Sequence, residues 1–300
     1  MVIIMNHDYI KSPLNYIGGK YRILDQIIPK FPKDINKFVD LFGGGFNVGI
    51  NVDANIVVYN DIISQICELL HYFSNNSSSS IIKKIEATIE ENGLNKNNNE
   101  AFLNLRNKYN HSLYSRQSSK IIDFYCLILY SFNYQIRFNK SMEFNTPFGK
   151  NRSSFNSNIK RNLKRFIERL NNMNVQFSNS EFLKFDFSEL SSNDLVYCDP
   201  PYLITTGSYN DGNRGIKDWT VDDEKALLNL LDNLNKKNIK FALSNVFVAN
   251  GKKNDILIEW SKKYNVIEMK NSFNNSNYRR KSKNDIKEVL VTNYEVIENE

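Results

Sequence analysis

Five short apolar runs, each stopped abruptly, constrain this 300-residue chain more than anything else in it. Lys37-Phe-Val-Asp-Leu-Phe42 ends in Gly43-Gly44-Gly45, residues 55–61 end in Asp61, and residues 194–199 end in two prolines. Residues 240–245 and 288–294 are the other two. Runs so short and so continuously apolar suit strands buried on both faces. Helical spacing lies between them, in residues 21–28 and 222–234. Strands alternating with helices predict an α/β fold of the Rossmann-like kind, with a mostly parallel sheet covered on both sides.

The middle of the chain reads differently. Two Ser/Asn-rich stretches, residues 74–80 and 92–99, carry no apolar period and read as loops. Residues 81–169 have helical spacing, broken by one long polar loop between Phe132 and Lys160. The expected organisation is a sheet domain made from residues 1–70 and 176–300, with residues 71–175 inserted as a mainly helical domain. Charge divides the same way. The chain carries a net +6, yet residues 81–175 hold 16 Lys and Arg against 7 Asp and Glu. A positive excess gathered in one segment is the sequence footprint of nucleic-acid binding, and equally of a solvated helical face.

Composition removes other classes. The three cysteines and three histidines are scattered, with no CxxC pair, which excludes a disulfide scaffold and leaves no metal expected. No apolar run reaches the roughly 18 residues that span a bilayer, so no membrane partner is expected. Residues 1–12 lack the pattern of a signal peptide, and a cytoplasmic protein is expected.

Three constellations carry chemistry. The first is Asp40-Leu-Phe42-Gly43-Gly44-Gly45, followed by a strand ending at Asp61. Glycines after a strand let backbone approach a ligand, a following helix aims its N–H groups there, and an acid ending the next strand can hold ribose hydroxyls. A plain strand-to-helix turn is the alternative. The second is Asp199-Pro200-Pro201-Tyr202. The prolines hold an extended turn, so the Asp199 carboxylate and the Pro200 carbonyl can accept both hydrogens of one exocyclic amino group while Tyr202 stacks on its base. The third is Phe132-Asn133-Tyr-Gln135-Ile-Arg137-Phe-Asn139, running on through Pro147 to Lys150, with Lys160 and Lys164 beyond. Aromatics, amides and basic groups interleaved this way suit contacts to base edges and phosphates of double-stranded DNA. An ordinary basic surface loop is the alternative.

The order of these motifs resembles the Dam family (D12 class) of DNA adenine-N6 methyltransferases. The resemblance runs from about Ser12 to Tyr294. It includes an opening element, Leu14-Asn-Tyr-Ile-Gly-Gly-Lys20, and a closing one over residues 280–293. It implies S-adenosyl-L-methionine as cofactor, held by Tyr16, Lys20, Asp40, Phe42, Gly43, Gly45, Asp61, Asp186 and Asp199. It implies catalysis by Asp199, Pro200 and Tyr202 on an adenine flipped from the duplex. It implies DNA contacts from the third constellation, with Arg137 against a base edge, and a cognate restriction endonuclease as candidate partner. The chain departs from the family at Asn15 and Tyr16, where Lys and Trp are common, and at Gln135, where Leu is common, leaving the recognition sequence open. Cytosine carbon-5 chemistry is excluded, because none of the six prolines precedes a cysteine. An RNA base methyltransferase and a non-catalytic DNA-binding relative are the competing readings.

Overall fold

The computed structural model describes residues 8–16, 18–205, 219–270 and 286–296. Among them one sheet has eight strands: β1 Lys37–Asp40, β2 Ile56–Asn60, β3 Val175–Ser178, β4 Leu195–Cys198, β5 Lys240–Ala249, β6 Lys252–Lys253, β7 Asn265–Glu268 and β8 Lys287–Thr292. Their order is β3-β2-β1-β4-β5-β8-β7, with β6 folded back on β5. β1 to β5 pair in parallel, whereas β8 runs antiparallel to both of its neighbours. All five expected runs are strands. β3, short and half-buried, and β7, short and mostly exposed, carry too little apolar pattern to be read from sequence.

Side chains along a strand alternate between faces, and the core divides accordingly. Phe38, Val57, Tyr59, Leu195, Tyr197 and Leu290 face one side. Val39, Val58, Val196, Cys198, Leu243 and Val291 face the other, against α7 (Val221–Lys236). The first face is covered by helices that follow β2: α2 Ser64–Ser74, α3 Ser78–Glu91, α4 Asn99–His111, α5 Gln117–Tyr130 and α6 Ser157–Asn171. α5 is buried on every side from Ile121 to Tyr130, as a central helix must be when others surround it.

Four expectations are corrected. The serines at 74–80 are not all loop: the Ser77 side chain accepts the Ser80 N–H, and α3 starts at Ser78. Serine competes with a helix in its interior but caps its beginning. Residues 92–98 are irregular as expected, and Asn98 caps α4. The supposed polar loop after Phe132 is a packed hairpin. Ser131 bridges Phe148 and Phe138 bridges Phe144, with both inner rings 1% exposed against Phe124 of α5. Finally, no α-helix follows the glycine turn. The chain makes only a 3-10 turn at Gly49–Asn51, and the Arg169 side chain from α6 donates to the Ile50 and Val52 carbonyls. Residues 21–28 likewise yield one α-turn, α1 Leu24–Ile27, ended by a 3-10 turn containing Pro29. Among the described residues the remaining α-helix is α8, Asp255–Ser261. No helix among the described residues is long and apolar enough to cross a membrane.

Candidate active site

The sheet's alternation decides where the acids go. Asp40 follows Phe38 by two residues, Asp61 follows Tyr59, and Asp199 follows Tyr197, so each carries on the parity of the helix-covered face. Since β1, β2 and β4 are parallel, all three acids emerge at one edge, the carboxyl edge where open α/β sheets bind ligands. A cleft of about 390 Å³ opens there. Tyr16, Lys20, Asp40, Phe42, Gly43, Gly45, Asp61, Asp199, Pro200 and Tyr202 all line it. Ile17, inside the opening motif, and residues 280–285 of the closing element lie outside the described residues.

Lys20 is the hub. It is 5% exposed, and its ammonium lies 2.7 Å from Asp199 Oδ1 and 3.7 Å from Glu288 Oε1, while donating to the Gly18 carbonyl at 2.9 Å. It also lies 5.0 Å from the centre of the Tyr202 ring. The Tyr202 hydroxyl lies 3.0 Å from Asp199 Oδ1 and 3.2 Å from Glu288 Oε1. Burial raises the Asp199 carboxyl above its ordinary value, with the Lys20 ammonium opposing that rise. Burial also raises Glu288, Lys20 again opposing. Sequence reading missed Glu288. Its signal is the acid opening the last apolar run, which reaches this edge only because β8 runs backwards.

The glycine turn works through backbone contacts. The Gly44 N–H donates to Asp61 Oδ2 at 2.9 Å, and the Ile63 N–H donates to Asp61 Oδ1 at 2.8 Å. Gly44 sits at φ +47 beneath the Tyr16 ring, and a Cβ on Gly43 would fall 2.3 Å from the Tyr59 ring. A side chain is therefore strained at Gly44 and excluded at Gly43. Asp40 accepts the Gly49 N–H at 3.1 Å. Burial, with Asp199 and Asp61 nearby, pushes its carboxyl up to about 7 against that hydrogen bond. Burial raises Asp61 as well, opposed by the N–H groups it accepts. Phe42 packs against Phe182 and Trp219 at 5.4 and 5.8 Å, and the three rings wall one side of the cleft. Neither Phe182 nor Trp219 was singled out from sequence.

Asp186 does not line the cleft. It is exposed, and its carboxylate accepts the Ser188 N–H at 2.9 Å; residues 180–183 reach the cleft instead. The third constellation divides. Arg137 lines the cleft, and its Nε is buried with no hydrogen-bond partner among the described residues. Phe132, Asn133 and Pro147 are exposed on the hairpin, with Arg152 stacked 4.9 Å from the Phe132 ring. The Asn133 carbonyl, at a residue of φ 54, accepts the Asn15 side-chain amide at 2.6 Å. The Gln135 carbonyl accepts the Ser131 and Thr146 hydroxyls, and Asn139 closes the hairpin turn by accepting the Ser141 and Glu143 N–H groups. Lys160 and Lys164 stand on α6, away from the cleft lining, ion-paired with Glu86 and Glu168.

A family profile described as D12 class N6 adenine-specific DNA methyltransferase matches residues 16–275. Type II methyltransferase M.FokI of Planomicrobium okeanokoites is 53% identical over 288 residues, covering 96% of this chain and 43% of that protein. Modification methylase StsI of Streptococcus sanguinis is 50% identical over 289 residues, again 96% of this chain and 43% of the relative. The DNA adenine methylase of Escherichia coli (strain K12) is 25% identical over 232 residues, or 77% of this chain and 79% of that protein. The chain spans less than half the length of the first two relatives. With its sheet, its acidic cleft and a profile match over most of its length, the chain belongs to the D12 class N6 adenine-specific DNA methyltransferases.

Proposed function

We propose that the chain transfers a methyl group from S-adenosyl-L-methionine to the N6 amino group of an adenine flipped out of a double-stranded DNA site. Residues 71–175 would serve target recognition, set into a catalytic part formed by residues 1–70 and 176–300. The observation that carries the reading is the Asp199-Pro200 corner at the carboxyl end of β4, placed in one cleft with Asp61 and the glycine turn.

The cleft fits the cofactor. Its volume of about 390 Å³ lies in the range of small-molecule sites. Its carboxylates suit a cationic, hydroxyl-bearing ligand, and the Phe42, Phe182 and Trp219 rings suit a purine. Tyr16, Lys20, Asp40, Phe42, Gly43, Gly45 and Asp61 would hold it. When bound, S-adenosyl-L-methionine supplies an activated methyl group on a sulfonium. The chain's own part is positioning, which accounts for much of the rate in such transfers. Asp199 and the Pro200 carbonyl accept the two amino hydrogens and turn the nitrogen lone pair outward. Tyr202 covers the face of the base, and Arg137 offers its unpaired Nε to a group of the DNA.

The names of the relatives, a type II methyltransferase and modification methylases, favour the modification half of a restriction-modification pair, with a cognate restriction endonuclease as partner and the cytoplasm as its place of action. Asp199→Ala decides the central claim. Incorporation of labelled methyl into duplex DNA should be lost, while duplex binding stays within roughly threefold. A variant that methylates near the wild-type rate would remove Asp199 from the chemistry. Sequencing DNA from a methylation-free host expressing the chain should show modified adenines in one short site.

A further inference from the structure

Asp199 Oδ1 is already fully occupied. It takes the Lys20 ammonium at 2.7 Å and lies 3.0 Å from the Tyr202 hydroxyl, which uses both of that oxygen's lone pairs. An amino hydrogen can be accepted by Oδ2, which has no hydrogen-bond partner among the described residues, or by Oδ1 once one of those donors moves; in either case Tyr202 must release Asp199 before its ring can move over a base. A displaced donor in a buried site needs another acceptor, because a buried donor left unsatisfied is destabilising. Glu288 Oε1 lies 3.2 Å from the same hydroxyl and 3.7 Å from the same ammonium.

The architecture holds Glu288 there. β8 enters the sheet antiparallel, so its first residues arrive at the edge where β1, β2 and β4 end. Glu288 pairs with Val246 of β5, immediately before the irregularity that passes over Phe247, and bulges of this kind re-aim neighbouring side chains. The Glu288 carbonyl also accepts the Met269 N–H, fixing its backbone from the other side.

We infer that Glu288 is a positioning residue, the alternate acceptor that takes the Tyr202 hydroxyl, with Lys20 following, when Asp199 engages the target amino group. The inference rests on the methyl-transfer reading. No covalent bond changes in this exchange, and the phenolic proton stays on Tyr202 while its hydrogen bond passes from one carboxylate to the other.

The test uses the full chain and two variants that separate reach from charge. Glu288→Gln keeps the reach and an acceptor oxygen but loses the charge. Glu288→Asp keeps the charge but withdraws it by one methylene. The exchange requires reach, so Glu288→Asp should lower kcat about 10- to 100-fold and Glu288→Gln by less than about fivefold, each factor of ten being about 1.4 kcal/mol. KM for both substrates and S-adenosylhomocysteine binding should stay within roughly threefold in both variants, because only turnover uses the exchange. In a Tyr202→Phe background, with no hydroxyl to receive, the Glu288→Asp loss should shrink to roughly threefold or less. The opposite order, with Gln slow and Asp fast, would assign Glu288 a purely electrostatic role and overturn the inference. So would equal losses in both backgrounds, or unchanged rates. A wild-type chain that methylates no DNA adenine overturns the methyl-transfer reading and the inference together, whereas an active wild type with the wrong variant order overturns the inference alone.

Discussion

Asp40 and Asp61 end neighbouring strands and face one cleft, but they answer to pH differently because Asp40 has a single backbone donor and two acidic neighbours. The folded chain holds the Asp40 carboxyl at about 7, well above its unfolded value of 3.8. A carboxyl raised by folding is taken up protonated, so its contribution to stability is greatest at low pH and falls as pH climbs from about 4 through 7. Asp40→Asn cannot ionise. Denaturant unfolding at pH 5.5 and at pH 8 should therefore show the variant gaining on wild type at the higher pH, by about 1–3 kcal/mol once solvent relaxation is allowed for. A pH-independent difference would place the titration elsewhere. Asp61→Ala should weaken S-adenosylhomocysteine binding by about 10- to 150-fold, the worth of a charged hydrogen bond. Calorimetric titration reads this directly. Asp61 was legible in sequence because an acid ending a strand has few other uses. Gly44 was legible as part of the glycine turn though not as the donor to Asp61, and Glu288, which arrives on a reversed strand, was not legible at all, since strand direction is not written in a single chain's letters.

At the scale of elements, the hairpin after α5 shows what a polar tally conceals. From Phe132 to Phe148 the polar and charged side chains outnumber the aromatic rings, but Phe138 and Phe144 point inward onto Phe124 and carry the packing. Removing a buried phenylalanine costs about 3–5 kcal/mol when the site cannot collapse. Phe144→Ala should lower stability by that order in denaturant unfolding. It should also impair methyl transfer to DNA more than S-adenosylhomocysteine binding, because Arg137 rides on the same hairpin. Equal losses in both would detach the hairpin from DNA. The serines at the start of α3 and the turn after Gly45 misled for a related reason. Serine as cap or breaker is decided by a local partner, the Ser80 N–H three residues on, whereas helix or 3-10 turn after Gly45 is decided with a partner from elsewhere, the Arg169 guanidinium. The five buried strands needed no such partner to be seen, because an apolar run has only one place to go.

Across the whole molecule the positive excess of residues 81–175 is real in sequence but partly spent on internal pairs. Lys160 meets Glu86, Lys108 meets Asp123, and Arg165 reaches Asp8. Lys164, 3.7 Å from Glu168 and largely exposed, is held more loosely. Each phosphate a lysine neutralises contributes about 0.9 to the salt slope of DNA binding. Lys164→Ala should therefore flatten that slope by about one and leave the methylated site unchanged, whereas Lys160→Ala should move it less. Arg137→Ala should instead relax the site at one base pair, worth about 1–3 kcal/mol of discrimination. Methylation mapping of the three variants separates these outcomes, and identical site spectra for all three would end the base-reading role of Arg137. The reversed last strand has a consequence for assembly. Lys20 and Glu288 come from opposite ends of the described chain, and their meeting closes a loop that includes every other strand of the described sheet. Contacts so distant in sequence form late, after the entropy of closing them has been met. Under the proposed methyl-transfer reading, recovery of activity during refolding should therefore trail the recovery of buried secondary structure, because the reversed strand that carries Glu288 to the cleft edge is the last to find its place.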